Sequence, residues 1–437
     1  MKRILTIALS LALGVALLMT GCQKTNTPAE SGGGDASTGG TKKPSSSANT
    51  ESGTEPTQPA YEQLDMRSVA INNADISDEA LEASYLNQGN LARLARVMEK
   101  AEKGEKVVIG AFGGSITEGM SASVPGRRYS SQVLLWLRET YPNGDFELVN
   151  AGIGSTGSII GGGRMEEDLL SKNPDLIIVE FACNDGVTAL EVESYEGVVR
   201  RALEAPNQPA VMLLFMTRND GGSSQDSEIP VGRKYDLPMI SYRNCVVKGM
   251  ADKAFKWEDI SPDVVHPNDR GHAIAARLIT HRLELVKNHL AEIDKTIPEL
   301  PASDTRFMNQ TLRNSQNYTP KSLGSFAPAT KQYYNASLSK GWEATAGNSE
   351  PLVFETESKV VTLVFRRLVT TRGAKVNVKV DGRQIMTVDA DFPNGFGEYA
   401  DLKTIIERDN TEKCTVELSI DPSSPQGSKF MLLGIIE

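Results

Sequence analysis

Between about residues 105 and 220 the chain alternates short runs that are apolar at every position with longer segments that are apolar at every third or fourth. The runs at 107–112, 146–150, 176–181 and 211–216 are nearly uninterrupted, and a strand that is apolar on both faces belongs to a sheet covered on both sides. Segments 128–141, 164–171, 195–204 and 238–251 carry the helical period instead, as do Leu91, Leu94, Ala95, Met98 and Ala101 upstream, with Asn90 as candidate N-cap. A fifth short strand near Phe255 and a closing helix over about 269–290, with Ile274, Leu278 and Leu285 inward, complete the pattern. It predicts a three-layer α/β/α domain around a doubly wound parallel sheet.

Beyond Pro298-Glu299-Leu300-Pro301 the period changes. Runs at 352–355, 360–366, 375–380, 384–388, 414–420 and 429–436 are short, β-branched and often alternating, and Asp381-Gly382 between two of them is a hairpin signal. An all-β sandwich of jelly-roll-like kind is expected over 298–437, following an α/β domain over 61–297.

The amino terminus fits neither domain. Lys2 and Arg3 precede an apolar segment from Ile4 to Met19, which is the plan of a targeting signal. Leu18-Met19-Thr20-Gly21-Cys22 resembles a bacterial lipoprotein signal, so that 1–22 would be processed and Cys22 lipidated. An ordinary cleaved signal with an incidental cysteine is the alternative. Residues 23–60 are rich in Gly, Ser, Thr and Pro, with almost nothing to bury. As a flexible linker they would hold the folded body about 30–35 Å from a membrane anchor. The expected location is the outer face of a bacterial cell membrane, with the lipid as the only membrane contact.

A net charge of -10 argues against nucleic acid or an anionic membrane surface as the main partner. Without Cys22, the cysteines are Cys183, Cys245 and Cys414, too scattered for a disulfide framework. With four histidines and no CxxC or HExxH, a zinc site is not expected.

Candidate chemistry gathers where the apolar runs end. Ala111-Phe-Gly-Gly-Ser115-Ile-Thr-Glu-Gly119 puts a serine after paired glycines at a strand's C-terminal end, where open α/β sheets bind ligands. Asp263-Val-Val-His266-Pro-Asn268 stands before the last helix, and its carboxylate can hold the imidazole in the tautomer that accepts a proton from a serine. Asn150-Ala-Gly152-Ile-Gly154-Ser-Thr-Gly157 and Phe181-Ala-Cys183-Asn184-Asp185 follow two further strands and converge on the same edge. A glycine-loop N–H and the Asn184 amide would form an oxyanion hole, worth about 3–4 kcal/mol per donor.

Together these four blocks resemble the SGNH/GDSL hydrolases, over about residues 106–290. The resemblance implies a flavodoxin-like sheet and a serine esterase. Ser115 would be nucleophile, His266 general base and acid, and Asp263 its orienter. The Ser115 and Gly154 N–H groups and the Asn184 side chain would be the oxyanion donors, with Gly152 as rival to Gly154. Gly114 stands where the family name implies Asp. Look-alikes with a GGSIT block and an appended β-sandwich are often carbohydrate esterases. The expected reaction is therefore O-deacetylation of an acetylated polysaccharide through an acyl-enzyme, and it needs no metal or organic cofactor. A lipase, lysophospholipase or thioesterase is one alternative, and a glycan-binding lipoprotein without turnover is another.

Several features compete. Gly152-x-Gly154-x-x-Gly157 with Glu180 downstream also fits a dinucleotide fingerprint. His272 could rival His266 as base; a helix-borne histidine is more often structural. Arg164 and Asp185 could touch substrate or brace the loops, and Cys183 could be reactive or filler. Trp136 reads as core. Trp342, Phe392, Phe396 and Tyr399 could be a sugar platform or β-domain core.

Overall fold

The computed structural model describes residues 76–330, 334 and 336–437. The expected signal, Cys22 and the 23–60 linker lie outside the described residues.

Helix α1 (Asp78–Ala83), strand β1 (Tyr85–Asn87) and helix α2 (Ala92–Glu102) lead in, with Asn90 Oδ1 accepting the Ala92 N–H at 3.0 Å. The chain continues as β2 (Lys106–Gly113), α3 (Ser115–Glu118), α4 (Tyr129–Thr140), β3 (Asp145–Gly152), α5 (Ser158–Asp168), β4 (Leu176–Glu180) and α6 (Ala189–Glu204). Then come β5 (Ala210–Phe215), α7 (Gln225–Lys234), β6 (Met239–Ser241), α8 (Tyr242–Ala251), α9 (Trp257–Ile260) and α10 (Asp269–Asn288). The sheet order is β1-β6-β5-β4-β2-β3, parallel except for β1, which runs antiparallel along the edge of β6.

The apolar runs explain the layers. Along β4, Leu176 and Ile178 face a core with α2, α4, α8 and α10, while Ile177 and Val179 face another with α5, α6 and α7. From β2 the chain moves to one neighbour, β3, and then crosses back to the other, β4. The C-terminal end of β2 is thus a topological switch point, where such sheets open a crevice.

The strand expected near Phe255 does not form. The last parallel strand is β6, which lies inside the segment read as a helix over 238–251. That segment divides at Ser241, whose Oγ caps α8 by accepting the Asn244 N–H at 2.9 Å. A three-residue strand running directly into a helix leaves no period-2 signal, so it was invisible; Phe255 instead packs against Gly249 as a buried loop residue. In α10, Ile274 and Leu278 are buried as expected, whereas Leu285 is half-buried and Leu283 and Val286 complete the inner face.

The second half is all antiparallel: β7 (Leu312–Arg313), β8 (Ala327–Pro328), β9 (Trp342–Thr345), β10 (Leu352–Arg367), β11 (Lys375–Val380), β12 (Arg383–Asp389), β13 (Tyr399–Ile420) and β14 (Lys429–Ile436). The order is β12-β11-β13-β10-β14-β9-β8, with β7 on β14. Two expected strands, 352–355 and 360–366, are one long strand, β10. It is irregular where its pairing with β13 shifts register near Ser358 and Val361. Asp381 and Gly382 take φ of 49° and 77°, the left-handed turn their sequence promised.

Helix α5 joins the two halves. Ile160 packs with Ile153 of the glycine block against Leu312, Leu338, Val364, Ala400, Leu433 and Ile436 of the β half. Asp168 at its end accepts from the Ser337 N–H at 3.2 Å and hydroxyl at 3.1 Å.

Candidate active site

Strand β2 delivers Ser115 to the first position of α3. Gly114 allows this because the Asn184 carboxamide lies directly against it: a Cβ there would stand 2.0 Å from Asn184 Oδ1. Ser115 is 9% exposed, and its Oγ lies 3.0 Å from His266 Nε2. His266 Nδ1 lies 2.8 Å from Asp263 Oδ2, while Asp263 Oδ1 accepts the backbone N–H groups of Val265 and His266 at 2.8 and 2.7 Å. Partial burial works against the Asp263 carboxylate, but these N–H groups and the imidazole outweigh it and hold the carboxyl below its ordinary range. The loop is braced from beneath. Trp257 Nε1 donates to the Asp263 carbonyl at 2.6 Å, and the Ser261 hydroxyl bridges the carbonyls of Asp263 and His266 at 2.8 and 2.6 Å. A serine oxygen, an imidazole and a carboxylate in this order can deprotonate the hydroxyl and stabilise the resulting imidazolium.

The two rival glycines differ. The Gly152 N–H donates to Asn150 Oδ1 at 3.0 Å, within its own block. Gly154 lies beside Ser115, where a Cβ would be 3.8 Å from the Ser115 Cβ, and its N–H donates to Glu118 Oε2 at 2.7 Å.

Close to Ser115 sits Glu180, wholly buried. Its Oε2 accepts the Thr117 hydroxyl at 3.0 Å, and Thr117 Oγ1 also meets the Tyr129 hydroxyl at 2.9 Å. Burial pushes Glu180 up to about 8. Arg164, also wholly buried, donates to the carbonyls of Ala151 and Gly113 at 2.7 and 3.0 Å and pairs with Asp168 at 3.2 Å. It therefore ties the ends of β2 and β3 together. Asp185 Oδ1 accepts the Ser158 N–H at 2.7 Å, and burial pushes this carboxyl up to about 7. Both residues brace the loops.

His272 is buried in α10 between the Tyr129 N–H and the Met120 carbonyl, 3.3 Å from each, and burial lowers it to about 4; it is a structural, neutral histidine. Cys183, Cys245 and Cys414 are free thiols, and burial pushes Cys183 up, the opposite of what a reactive thiolate needs. Trp136 and Trp342 are core residues. Phe392, Phe396 and Tyr399 instead form a surface cluster with ring centroids 5.2–5.6 Å apart, and Phe396 is 80% exposed. Ala400, next in sequence, packs in the same cluster as Ile153.

Glu118, Glu180 and Thr117 were not singled out for this site from the sequence. The signal for Glu118 was its place three residues after the serine, one helical turn on. Glu180 was visible only as a possible ribose ligand, which its burial under Thr117 rules out.

The GDSL-like lipase/acylhydrolase family model matches residues 111–274. A crystal structure of a two-domain esterase active on acetylated mannans is similar to this chain at 31% identity and a TM-score of 0.76, over 82% of this chain and 97% of that one. A structure described as a two-domain esterase active on acetylated mannans, co-crystallized with mannopentaose, gives 30% identity and 0.75 over the same shares. No curated protein sequence matches. With the likeness running through both the α/β and the β half, the chain belongs to the GDSL-like lipase/acylhydrolase family and is a serine carboxylic ester hydrolase.

Proposed function

We propose that this esterase removes acetyl groups from a polysaccharide through an acyl-enzyme formed on Ser115. The observation that carries this reading is the continuous relay from Ser115 Oγ to His266 Nε2 at 3.0 Å and from His266 Nδ1 to Asp263 at 2.8 Å.

Ser115 Oγ attacks the ester carbonyl as His266 Nε2 takes its proton. The resulting oxyanion is held by the N–H groups of Ser115 and Gly154 and by the Asn184 side chain. His266 then returns the proton to the departing sugar oxygen, leaving acetyl on Ser115. A water molecule, deprotonated by His266, attacks this second ester, and the same proton frees Ser115 and releases acetate. Asp263 stays ionised throughout, consistent with its lowered pKa.

Acetylated polysaccharide is favoured by the likeness to an esterase active on acetylated mannans and by the exposed Phe396, with half-buried Phe392 and Tyr399 against it, at the strand that packs on the glycine block. An extracellular, lipid-tethered location is supported by the Lys2-to-Cys22 segment alone, and a glycan is the substrate such a location offers.

The test is hydrolysis of p-nitrophenyl acetate, butyrate and octanoate, and acetate release from acetylated mannan and xylan, by native protein and Ser115→Ala. Serine-dependent activity that falls with chain length and includes release from a glycan is expected. A preference for octanoate would replace the reading with a lipase or thioesterase, and inertness of both proteins would leave a binding protein.

A further inference from the structure

The Gly154 N–H, one of the donors assigned above to the oxyanion, already has an acceptor. Glu118 Oε2 takes it at 2.7 Å, and a carboxylate oxygen has the charge and acceptor character of the oxyanion that would have to replace it. The glycine block does not need Glu118 to keep its shape. The Ile153 N–H donates to the Gly113 carbonyl at 3.1 Å, the Thr156 hydroxyl donates to the Ile153 carbonyl at 2.7 Å, and Arg164 holds the Ala151 carbonyl. Glu118 therefore occupies the donor without building it.

A second berth lies across the domain boundary. Tyr334 of the β half packs against the cluster that contains Ile153, the residue before Gly154, and the Arg366 guanidinium lies 5.8 Å from its ring. Its hydroxyl is buried and has no hydrogen-bond partner among the described residues, which is costly for a phenol. Burial pushes this phenol up, Arg366 opposes it, and the negative charges of Glu398 and Glu118 act in the same direction as burial.

We propose that Glu118 is a displaceable cap: it holds the Gly154 N–H until substrate binds and moves to the Tyr334 hydroxyl when the acyl group enters. This rests on the serine-esterase reading of the same site. The carboxylate keeps a partner in both states, and the β half, through Tyr334, becomes part of the catalytic cycle. Glu118 is then a positioning residue that decides how readily the hole accepts an oxyanion.

Phenylboronic acid tests this, because it forms a tetrahedral anion on the serine oxygen and reports the hole whatever the natural substrate is. Glu118→Ala is expected to lower its inhibition constant about tenfold, since the boronate oxygen meets an empty donor. Tyr334→Phe removes the second berth and is expected to raise the constant by a similar factor, but only while Glu118 is present; in the Glu118→Ala background it should do nothing. Glu118→Gln keeps shape without charge and should also tighten binding. Weaker binding by Glu118→Ala, or a Tyr334→Phe effect of equal size with and without Glu118, would overturn the cap. Should Tyr334→Phe melt at the assay temperature, Glu118→Gln decides, and an unchanged constant would overturn the cap. Serine-dependent turnover of p-nitrophenyl acetate by the same samples tests the esterase separately, so the cap can fail while the esterase stands.

Discussion

The Asp185 carboxyl accepts the Ser158 backbone N–H at 2.7 Å, which fastens the asparagine block to the first turn of α5 directly after the glycine block. The two donors proposed for the oxyanion, Asn184 and Gly154, arrive on separate loops and are thus held in one frame. A Cβ on Gly157 would stand 2.2 Å from Asp185 Oδ1, which shows how closely the loops meet. Asp185→Ala is expected to lower kcat on p-nitrophenyl acetate by about 10–100-fold, because the donors drift relative to Ser115. Asp185→Asn keeps the acceptor oxygen and should stay within about threefold of native. Equal losses in the two variants would show that charge, and not the tether, matters.

Asp263→Asn probes the tautomer. Oδ1 already receives two backbone N–H groups, so an amide at this position keeps its carbonyl there and turns its NH₂ toward His266 Nδ1. Nδ1 must then accept, Nε2 carries the hydrogen, and Ser115 loses its base. A fall in kcat/KM of about 10³–10⁴-fold is expected at neutral pH with folding intact. A loss below tenfold, measured by steady-state kinetics beside a thermal melt, would contradict this orientation.

How much of this could be read in advance differs by layer. Three of the four blocks were legible because each is the end of a parallel strand followed by residues with one chemistry, and parallel strands bring their C-terminal ends to one edge; the Asp263–His266 block follows α9 instead, and was legible from its spacing just before the last helix. Ser115 and Asn184 stand at such ends, and the resemblance of all four blocks to the SGNH/GDSL hydrolases joined Asp263 and His266 to them. β6 was not legible, since Met239-Ile240-Ser241 is too short to show a period before α8 begins. Long β10 looked like two strands because its register shifts interrupt the alternation, and of long β13 only the stretch 414–420 was read as strand. The contact of Glu118 with Gly154, and the packing of Ile153 on the β half, depend on how loops fold back, which local pattern does not encode.

Arg164 makes a stability prediction. It is a buried cation with partners on three sides, Asp168 and the carbonyls of Gly113 and Ala151. Arg164→Met leaves the Asp168 charge and both carbonyls without it, and a loss of about 3–5 kcal/mol is expected from urea unfolding. Arg164→Lys should recover little, because one ammonium cannot span the fork. Full recovery by Lys would mean that charge alone is needed.

Glu180 predicts how stability depends on pH. Its folded pKa, about 8, lies above the ordinary 4.5, so the native state binds its proton more tightly than the unfolded chain. That contribution is complete below about pH 4.5 and is lost as pH rises through about 8. Glu180→Gln keeps an acceptor for Thr117 and removes the titration. Its melting temperature should therefore fall less between pH 5 and 8 than that of the native protein, with parallel curves contradicting the assignment.

Phe396 separates the polymer from the simple ester. An aromatic ring 80% exposed, stacked on Tyr399 at 5.2 Å and edge-on to Phe392 at 5.5 Å, gains nothing from water and is held flat by its neighbours. Such a face suits the apolar side of a pyranose ring. The residue lies four positions before Ala400, which packs with Ile153 of the glycine block, yet Phe396 has no part in the relay from Ser115 to Asp263. Phe396→Ala is expected to raise KM for acetylated mannan about 3–10-fold, the worth of one aromatic contact, and to leave kcat and KM for p-nitrophenyl acetate unchanged. A parallel change on both substrates would mean that the ring supports the fold of the β half, and an unchanged KM on mannan would place the glycan elsewhere.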